Sequence, residues 1–173
     1  MEIPSLSAPP FPGADLVDIQ IRIQTEGFNA GDWLDQISGD DEACGAVASF
    51  LGQVRGGKDL IALELEHYPG VTEKALHRIA DHASQRWDLK QALIIHRIGR
   101  MEIGEPIVFV AASAPHRRAA LEATSFMIDV LKTQAPFWKK EHTTSGSHWV
   151  ETRDEDDAAA AAWLGEKEKE TSG

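Results

Sequence analysis

The chain has 173 residues, a formal net charge of −11 and 42% apolar residues, values typical of a folded protein of one domain. No stretch approaches the roughly 20 consecutive apolar residues of a membrane-spanning helix, and the first residues lack the pattern of a secretion signal, so we expect a cytoplasmic protein. The single cysteine, Cys44, excludes an intramolecular disulfide and a multi-cysteine metal site.

Hydrophobic periodicity predicts alternating strands and helices. Apolar residues at every second position predict half-buried strands, and apolar residues at spacings of four predict amphipathic helices. In chain order the predicted elements are a strand over Leu16–Gln24, a short helix from about Asn29, a buried strand over Gly45–Val54, a strand over Leu60–Tyr68, a helix over Val71–Trp87, strands over Ala92–Ile98 and Ile107–Ala112, a helix from about Pro115 to Gln134, and a hairpin formed by Phe137–Glu141 and His148–Glu151. This order predicts an α+β domain with two long helices on a mostly antiparallel sheet.

The two ends of the chain differ in composition from this body. Residues 1–15 contain four prolines between Pro4 and Pro12 and are expected to be irregular. Residues 154–173 combine an acidic run, an alanine run and alternating Glu and Lys. A helix is compatible with that tail, but low complexity at a terminus favours a solvated or frayed segment. The domain is therefore expected to span residues 16–153.

The charge is distributed unevenly along the chain. Residues 86–140 carry nine basic and five acidic residues, a net charge of +4, and the remainder carries −15. The acidic remainder argues against a general nucleic-acid binder, because such proteins need a positive surface for the phosphate backbone.

Basic side chains cluster at three element boundaries. Arg55 lies in a glycine-flanked turn, and His116 and Arg117 begin the second long helix, where free backbone N–H groups favour an anion. Lys132 ends that helix, and Lys139 and Lys140 follow in a predicted strand, where they would point to opposite faces. The simpler explanation is a solvent-facing first turn for His116 and Arg117, and a favourable interaction with the helix dipole for Lys132. Together the clusters predict only a basic pocket that accepts an anion.

Other chemistries find little support in the sequence. The seven histidines show no spacing typical of metal ligands, and neither a phosphate-binding glycine loop nor a nucleophile elbow is present. Cys44 precedes a predicted buried strand, where a small core thiol is the simpler interpretation. We therefore predict neither a metal nor a cofactor.

Several blocks in the same order resemble one family over residues 16–153. They are Gly45-Ala46-Val47 with Phe50-Leu51-Gly52-Gln53-Val54-Arg55, Leu63-Glu64-Leu65-Glu66-His67-Tyr68, His96-Arg97-Ile98-Gly99, Ile103-Gly104-Glu105, Ser113-Ala114-Pro115-His116-Arg117, Leu131-Lys132, Ala135-Pro136-Phe137-Trp138-Lys139-Lys140-Glu141, and Trp149-Val150-Glu151. This series resembles the large, catalytic subunit of molybdopterin synthase.

The resemblance implies a fold, an assembly and a reaction. The fold is of the α/β-hammerhead type, and the assembly is a homodimer flanked by two copies of a small ubiquitin-like sulfur carrier. The reaction inserts two sulfurs into cyclic pyranopterin monophosphate to form the dithiolene of molybdopterin. Sulfur arrives as a thiocarboxylate at the carrier's C-terminus, so this chain needs no reactive cysteine. Both reactants are anionic, which accounts for the basic segment.

The resemblance also implies residue roles. It assigns Lys132 and Lys139 as catalytic lysines, with Lys132 beside the carrier's C-terminus. The implied substrate-binding residues are Gln53, Val54, Arg55, His116, Arg117, Lys132, Lys139, Lys140, Glu141 and Arg153, the last reaching in from the neighbouring subunit. Two alternatives remain at this point, a non-catalytic module that binds an anion or RNA, and an inactive scaffold with the same fold.

Overall fold

The structure, a computed structural model, describes residues 16–38, 41–150 and 154–165. Its elements are β1 (Asp18–Gln24), α1 (Ala30–Ser38), β2 (Ala46–Gln53), β3 (Leu60–His67), α2 (Val71–Arg86), β4 (Gln91–Arg97), β5 (Gly99–Glu102), β6 (Pro106–Ala114), α3 (Arg117–Gln134), β7 (Phe137–Thr143), β8 (Gly146–Val150) and α4 (Asp154–Gly165). None of the helices in the described ranges is long and apolar enough to cross a membrane.

The strands form two four-stranded sheets. The first sheet has the order β1-β4-β6-β2, and only its β1–β4 pair is parallel. The second sheet has the order β5-β3-β7-β8 and is antiparallel throughout. The predicted α+β class with mostly antiparallel strands is therefore confirmed, although the strands divide into two sheets where the sequence suggested one.

The main core lies between the first sheet and the two long helices. β4 and β6 are buried along almost their whole length, as their uninterrupted apolar sequences require. Leu76 and Ile79 of α2 pack with Phe126 and Met127 of α3 in one cluster with these strands. The short helix α1 covers the opposite face through Ile37. The first sheet is thus a central layer with helices on both sides.

Strand β2 is an edge strand, which corrects the prediction of a buried strand over Gly45–Val54. It pairs only with β6 in the described part of the chain. Its middle is open to solvent, with Phe50 38% and Leu51 40% exposed. The apolar sequence predicted burial, but sequence alone could not show that β2 lies at the sheet edge and stays partly exposed in the described part of the chain.

Strand β5 was not predicted from the sequence. Gly99 and Gly104 were interpreted as punctuation between two strands, and both do adopt positive φ angles, of 79° and 86°. Between them, Gly99–Glu102 pairs with β3. A four-residue strand with a single apolar residue in its middle carries too little periodicity to be recognised.

The tail differs from the solvated or frayed segment that its composition favoured. Residues 154–165 form α4, and Trp163 packs against Trp87 and Phe126 with ring centroids 5.9 and 6.0 Å apart. The Trp163 indole N–H donates to Asp129 over 2.8 Å, and Arg86 donates to the Trp163 carbonyl over 3.1 Å. One tryptophan in a low-complexity run thus anchors a helix. The expectations for residues 1–15 and 166–173 lie outside the described residues.

His96 is a buried histidine that connects the two sheets. Its ring stacks on Phe137 with centroids 3.9 Å apart, and its Nδ1 lies 2.9 Å from the Arg97 carbonyl oxygen. Burial lowers the pKa of His96 from 6.5 to about 4, against the opposing effect of the backbone hydrogen bond. The folded protein therefore holds His96 neutral at pH values where the unfolded chain protonates it.

This difference predicts an acid-sensitive fold. The pKa of His96 is lower in the folded protein than in the unfolded chain, so its contribution to the free energy of unfolding is complete above pH 6.5. That contribution, about 3 kcal/mol, is lost as the pH falls towards 4. Denaturant unfolding across this range should show the loss, and His96→Phe should reduce its pH slope. The exposed-site variant His77→Gln should keep the wild-type slope, and an unchanged slope in His96→Phe would refute the assignment.

Candidate functional site

The first group of predicted site residues lies at the N-terminus of α3. His116 is the extended N-cap residue, with no side-chain capping bond, and Arg117 begins the helix. Both side chains are exposed. Arg118 is engaged by Glu122 at 2.6 Å, which leaves His116 and Arg117 beside the unpaired N–H groups of the first turn. This arrangement suits an anion.

A close backbone approach sets the position of this helix start. The Gly45 N–H donates to the Ala114 carbonyl over 3.0 Å, and a Cβ atom at Gly45 would overlap the carbonyl oxygen of Pro115. The beginning of β2 therefore lies directly against the turn that presents His116.

The second group lies at the other end of α3. Lys132 is in the last turn and exposed, where a cation also complements the helix dipole. The helix ends at the Ala135 cap, and the Pro136 carbonyl accepts a 2.9 Å bond from the Thr72 hydroxyl. This bond fixes the start of β7, the strand that carries Lys139.

The two lysines of β7 point to opposite faces, as predicted. Lys139 lies opposite Leu65 and shares its face, and its Nζ is 3.6 Å from Glu141 Oε1. Glu141 Oε2 is 3.6 Å from His148 Nε2, so the Glu141 carboxylate lies between the Lys139 ammonium and the His148 ring. Lys140 is on the opposite face, with its Nζ 5.4 Å from the centre of the Trp149 ring.

The Gln53–Arg55 segment lies at the end of β2. Gln53 Nε2 donates to the Gly104 carbonyl over 3.1 Å, and buried Val54 exchanges backbone bonds with Glu105 and Gly104. Arg55 follows immediately and is exposed. Of these three predicted residues, Val54 packs in the core beside Leu63, so its side chain is structural and its backbone holds the segment.

The structure brings some of these residues together and separates others. The Thr124 hydroxyl donates to the Ala48 carbonyl over 3.2 Å, so α3 runs alongside β2 in the same direction. Arg55 and Lys132 therefore share one end of the domain, where β7 also begins. His116 and Arg117 lie at the opposite end, about 22 Å away along the axis of α3. One chain thus presents two separate cationic groups, and Arg153 lies outside the described residues.

A hydrogen-bonded array beside this site was not recognised in the sequence. His142 Nε2 lies 2.6 Å from Glu64 Oε2, and its Nδ1 lies 2.7 Å from the Ser147 hydroxyl. These residues belong to three adjacent strands, and they brace the hairpin that carries Lys139. The flanking of a turn by His142 and His148 was the visible signal, but the partner Glu64 is 78 residues distant. Within the described ranges no cluster of three His, Cys, Asp or Glu could hold a metal ion.

Comparisons with known proteins agree on one family. The family model of the MoaE protein matches residues 23–134. A Pseudomonas aeruginosa protein named molybdopterin synthase catalytic subunit is 51% identical over 146 residues, which cover 83% of this chain and 97% of that protein. The structure of a molybdopterin biosynthesis MoaE protein from Burkholderia ambifaria has a TM-score of 0.73 and 46% identity, covering 84% and 97% of the two chains.

A more distant structure shares the fold. It comes from a complex of subunits 1 and 2 of the molybdopterin-converting factor of Helicobacter pylori, with a TM-score of 0.64 and 21% identity over 78% of this chain and 91% of that one.

The contact at Gly45 gives a testable consequence for the helix start. Gly45→Ala should lower the free energy of unfolding by about 2 kcal/mol or more, because the new methyl group must displace the Pro115 carbonyl. Gly27→Ala is the matched control, since no atom lies within 4 Å of a Cβ there. Thermal unfolding of the two variants measures the difference. Equal stability of both variants would show that β2 and the start of α3 are not in close contact.

Proposed function

The chain belongs to the MoaE protein family, and we propose that it acts as the catalytic, sulfur-transferring subunit of a molybdopterin synthase in molybdenum cofactor biosynthesis. The observation that carries the proposal is that β2 and α3 run in the same direction, which puts Arg55 and Lys132 at the end of the domain where the strand of Lys139 begins. These cations suit a reaction in which both reactants are anions.

The proposed reaction inserts two sulfur atoms into cyclic pyranopterin monophosphate. Each sulfur is delivered as the C-terminal thiocarboxylate of a small ubiquitin-like carrier subunit, whose terminus approaches Lys132. A chemistry in which the partner supplies the sulfur fits a chain whose one cysteine, Cys44, lies in the turn before β2. The proposed location is the cytoplasm, where thiols stay reduced.

The catalytic roles follow from charge and position. Lys132 and Lys139 stabilise negative charge on the attacking thiocarboxylate and on the intermediates that follow, which is effective in a site that excludes water. Glu141 holds the Lys139 ammonium from one side, and this contact orients the lysine before substrate arrives. Lys140 supports binding from the opposite face of β7, in contact with Trp149.

The phosphate of the substrate is assigned to the other cationic group. His116 and Arg117 bind it at the N-terminus of α3, where the helix dipole adds to their charge. Arg55 contributes a second guanidinium, and the hydrogen bonds of Gln53 and Val54 hold the segment that carries it. Because His116 and Arg117 lie about 22 Å along α3 from Lys132, one chain does not supply both groups to one phosphate. A second copy of the chain resolves this separation.

Strand β2 is the proposed surface for that second copy. Its eight residues carry no charge, and Phe50 and Leu51 are both exposed. Phe50 lines a surface depression together with Leu121 of α3, which is 59% exposed. A long, apolar and uncharged edge strand is a template for pairing with another chain. The opposite edge of the sheet, β1, carries Asp18 and Arg22, charges that disfavour such pairing. The occupant of the β2 edge is therefore a second β2.

The symmetry of such a pair completes the site. Two identical strands related by a two-fold axis pair in antiparallel fashion, so the start of one β2 lies beside the end of the other. His116 and Arg117 of one copy then approach Arg55 and Lys132 of the other copy. The length of β2, roughly 26 Å, is similar to the separation of the two groups within one chain. Arg153, which follows β8, is assigned to the same junction. The proposed assembly is a homodimer with one carrier at each of its two sites.

Activity measurements on lysine variants test the proposed function. The full chain, incubated with thiocarboxylated carrier and pyranopterin substrate, should yield a product heavier by two sulfurs, read by mass spectrometry. Lys132→Ala and Lys139→Ala should each lower the rate at least about tenfold, equivalent to ~1.4 kcal/mol of barrier. Lys74→Ala, which removes an exposed lysine of α2, should retain the wild-type rate. Wild-type rates in both site variants would exclude this assignment.

A further inference from the structure

Arg97, the last residue of β4, is a buried arginine outside the cationic groups described above. It is 5% exposed. Its NH1 donates to Glu105 Oε1 and to the Pro106 carbonyl, both over 3.2 Å, and its NH2 donates to the Thr25 carbonyl over 3.4 Å. Its Nε is buried without a partner in the described structure. Burying a guanidinium costs free energy even when it is paired, so core stability alone gives little reason for an arginine here.

One of these contacts, with Glu105, connects Arg97 to a tight turn formed by residues 102–105. Glu105 Oε2 accepts the backbone N–H of Glu102 over 2.6 Å, and the Glu105 N–H donates to the Glu102 carbonyl over 3.1 Å. The Glu102 N–H and the Arg97 guanidinium together hold the pKa of Glu105 below its usual value. Gly104 supplies the positive φ angle that closes the turn. Glu105 thus stays ionised and joins the buried arginine to the turn backbone.

The same turn holds the segment that ends in Arg55. The Val54 N–H donates to the Glu105 carbonyl over 2.9 Å, and the Gly104 N–H donates to the Val54 carbonyl over 2.8 Å. Gln53 Nε2 adds a third bond, to the Gly104 carbonyl. These bonds fall just after the irregularity in the β2–β6 ladder between Gly52 and Gln53, where regular pairing no longer sets the path of the chain.

We propose that Arg97 is a positioning residue, which acts through Glu105 and the 102–105 turn to aim Arg55 at the phosphate of the substrate. The proposal rests on the role assigned to Arg55 in the proposed function. Arg97 does not touch substrate. It fixes the turn, the turn fixes Gln53 and Val54, and these two residues fix the direction in which the chain leaves β2.

The direct test compares substrate binding with turnover in three single variants of the full chain with its carrier. Arg97→Lys keeps the charge but loses the forked geometry, and Glu105→Gln removes the ionic partner. Arg97→Lys should raise the KM for the pyranopterin substrate about tenfold and change kcat less than about twofold, because ground-state phosphate binding is what weakens. Glu105→Gln should also raise KM, and this variant tests the proposal if Arg97→Lys fails to fold. Arg78→Ala is the control, since it removes an exposed arginine of α2, and it should leave KM unchanged.

A double variant separates positioning from general destabilisation. Arg55→Ala alone should raise KM, and adding Arg97→Lys to it should produce no further increase, because the aimed residue is already absent. Equal effects of Arg97→Lys with and without Arg55 would overturn the proposal. An increased KM in Arg55→Ala with a wild-type KM in Arg97→Lys and Glu105→Gln would overturn it and leave the proposed function intact. A wild-type KM in Arg55→Ala would overturn both the assigned role of Arg55 and the positioning role of Arg97.

Discussion

The pairing of β6 with β2 is the constraint on which the arrangement of the site depends. β6 is buried along most of its length, and it passes through Pro115 and His116 into α3. Because β2 is antiparallel to β6, the returning helix runs in the same direction as β2, and the two elements begin and end together. The close contact of Gly45 with Pro115 fixes the shared beginning. His116 and Arg117 take their positions from one end of this unit, and Arg55 and Lys132 from the other.

This layout explains why total charge was a poor guide to function and its distribution a better one. A net charge of −11 keeps most of the surface acidic and disfavours general binding of polyanions. The basic segment concentrates positive charge at two places, each at one end of α3. One is a helix N-terminus, which attracts anions by itself, and the other is the junction of α3 and β7, where Glu141 holds Lys139. The proposed function assigns the anionic groups of the reactants to these two places.

Sequence patterns predicted most helices and strands, because the signals for these elements act between residues that are close in the chain. The alternation in β1, the spacing of four in α2 and the proline before α3 all act within a few residues. The missed features depend on contacts between distant parts of the chain. Trp163 orders α4 through residues of α2 and α3, and Glu64 meets His142 across two strands. The edge position of β2 was equally hidden, since an apolar strand has the same sequence whether its own chain or a second copy covers it.

The proposed site residues were named from family motifs, and the distance between Arg117 and Lys132 follows from the predicted helix that joins them. The position of Arg55 relative to that helix could not be predicted, because it depends on the pairing of β2 with β6 and on the contact between Ala48 and Thr124. The central claim, that each site is shared by two copies, is tested most directly with a mixed dimer. One copy carries Lys132→Ala, the other carries Arg117→Ala, and two affinity tags allow the mixed dimer to be purified. A shared site leaves one of the two sites intact, so the mixed dimer should recover about half of the wild-type rate of sulfur insertion. A rate no higher than that of the two single-variant dimers would contradict the account, because it would place both residues in the site of a single chain.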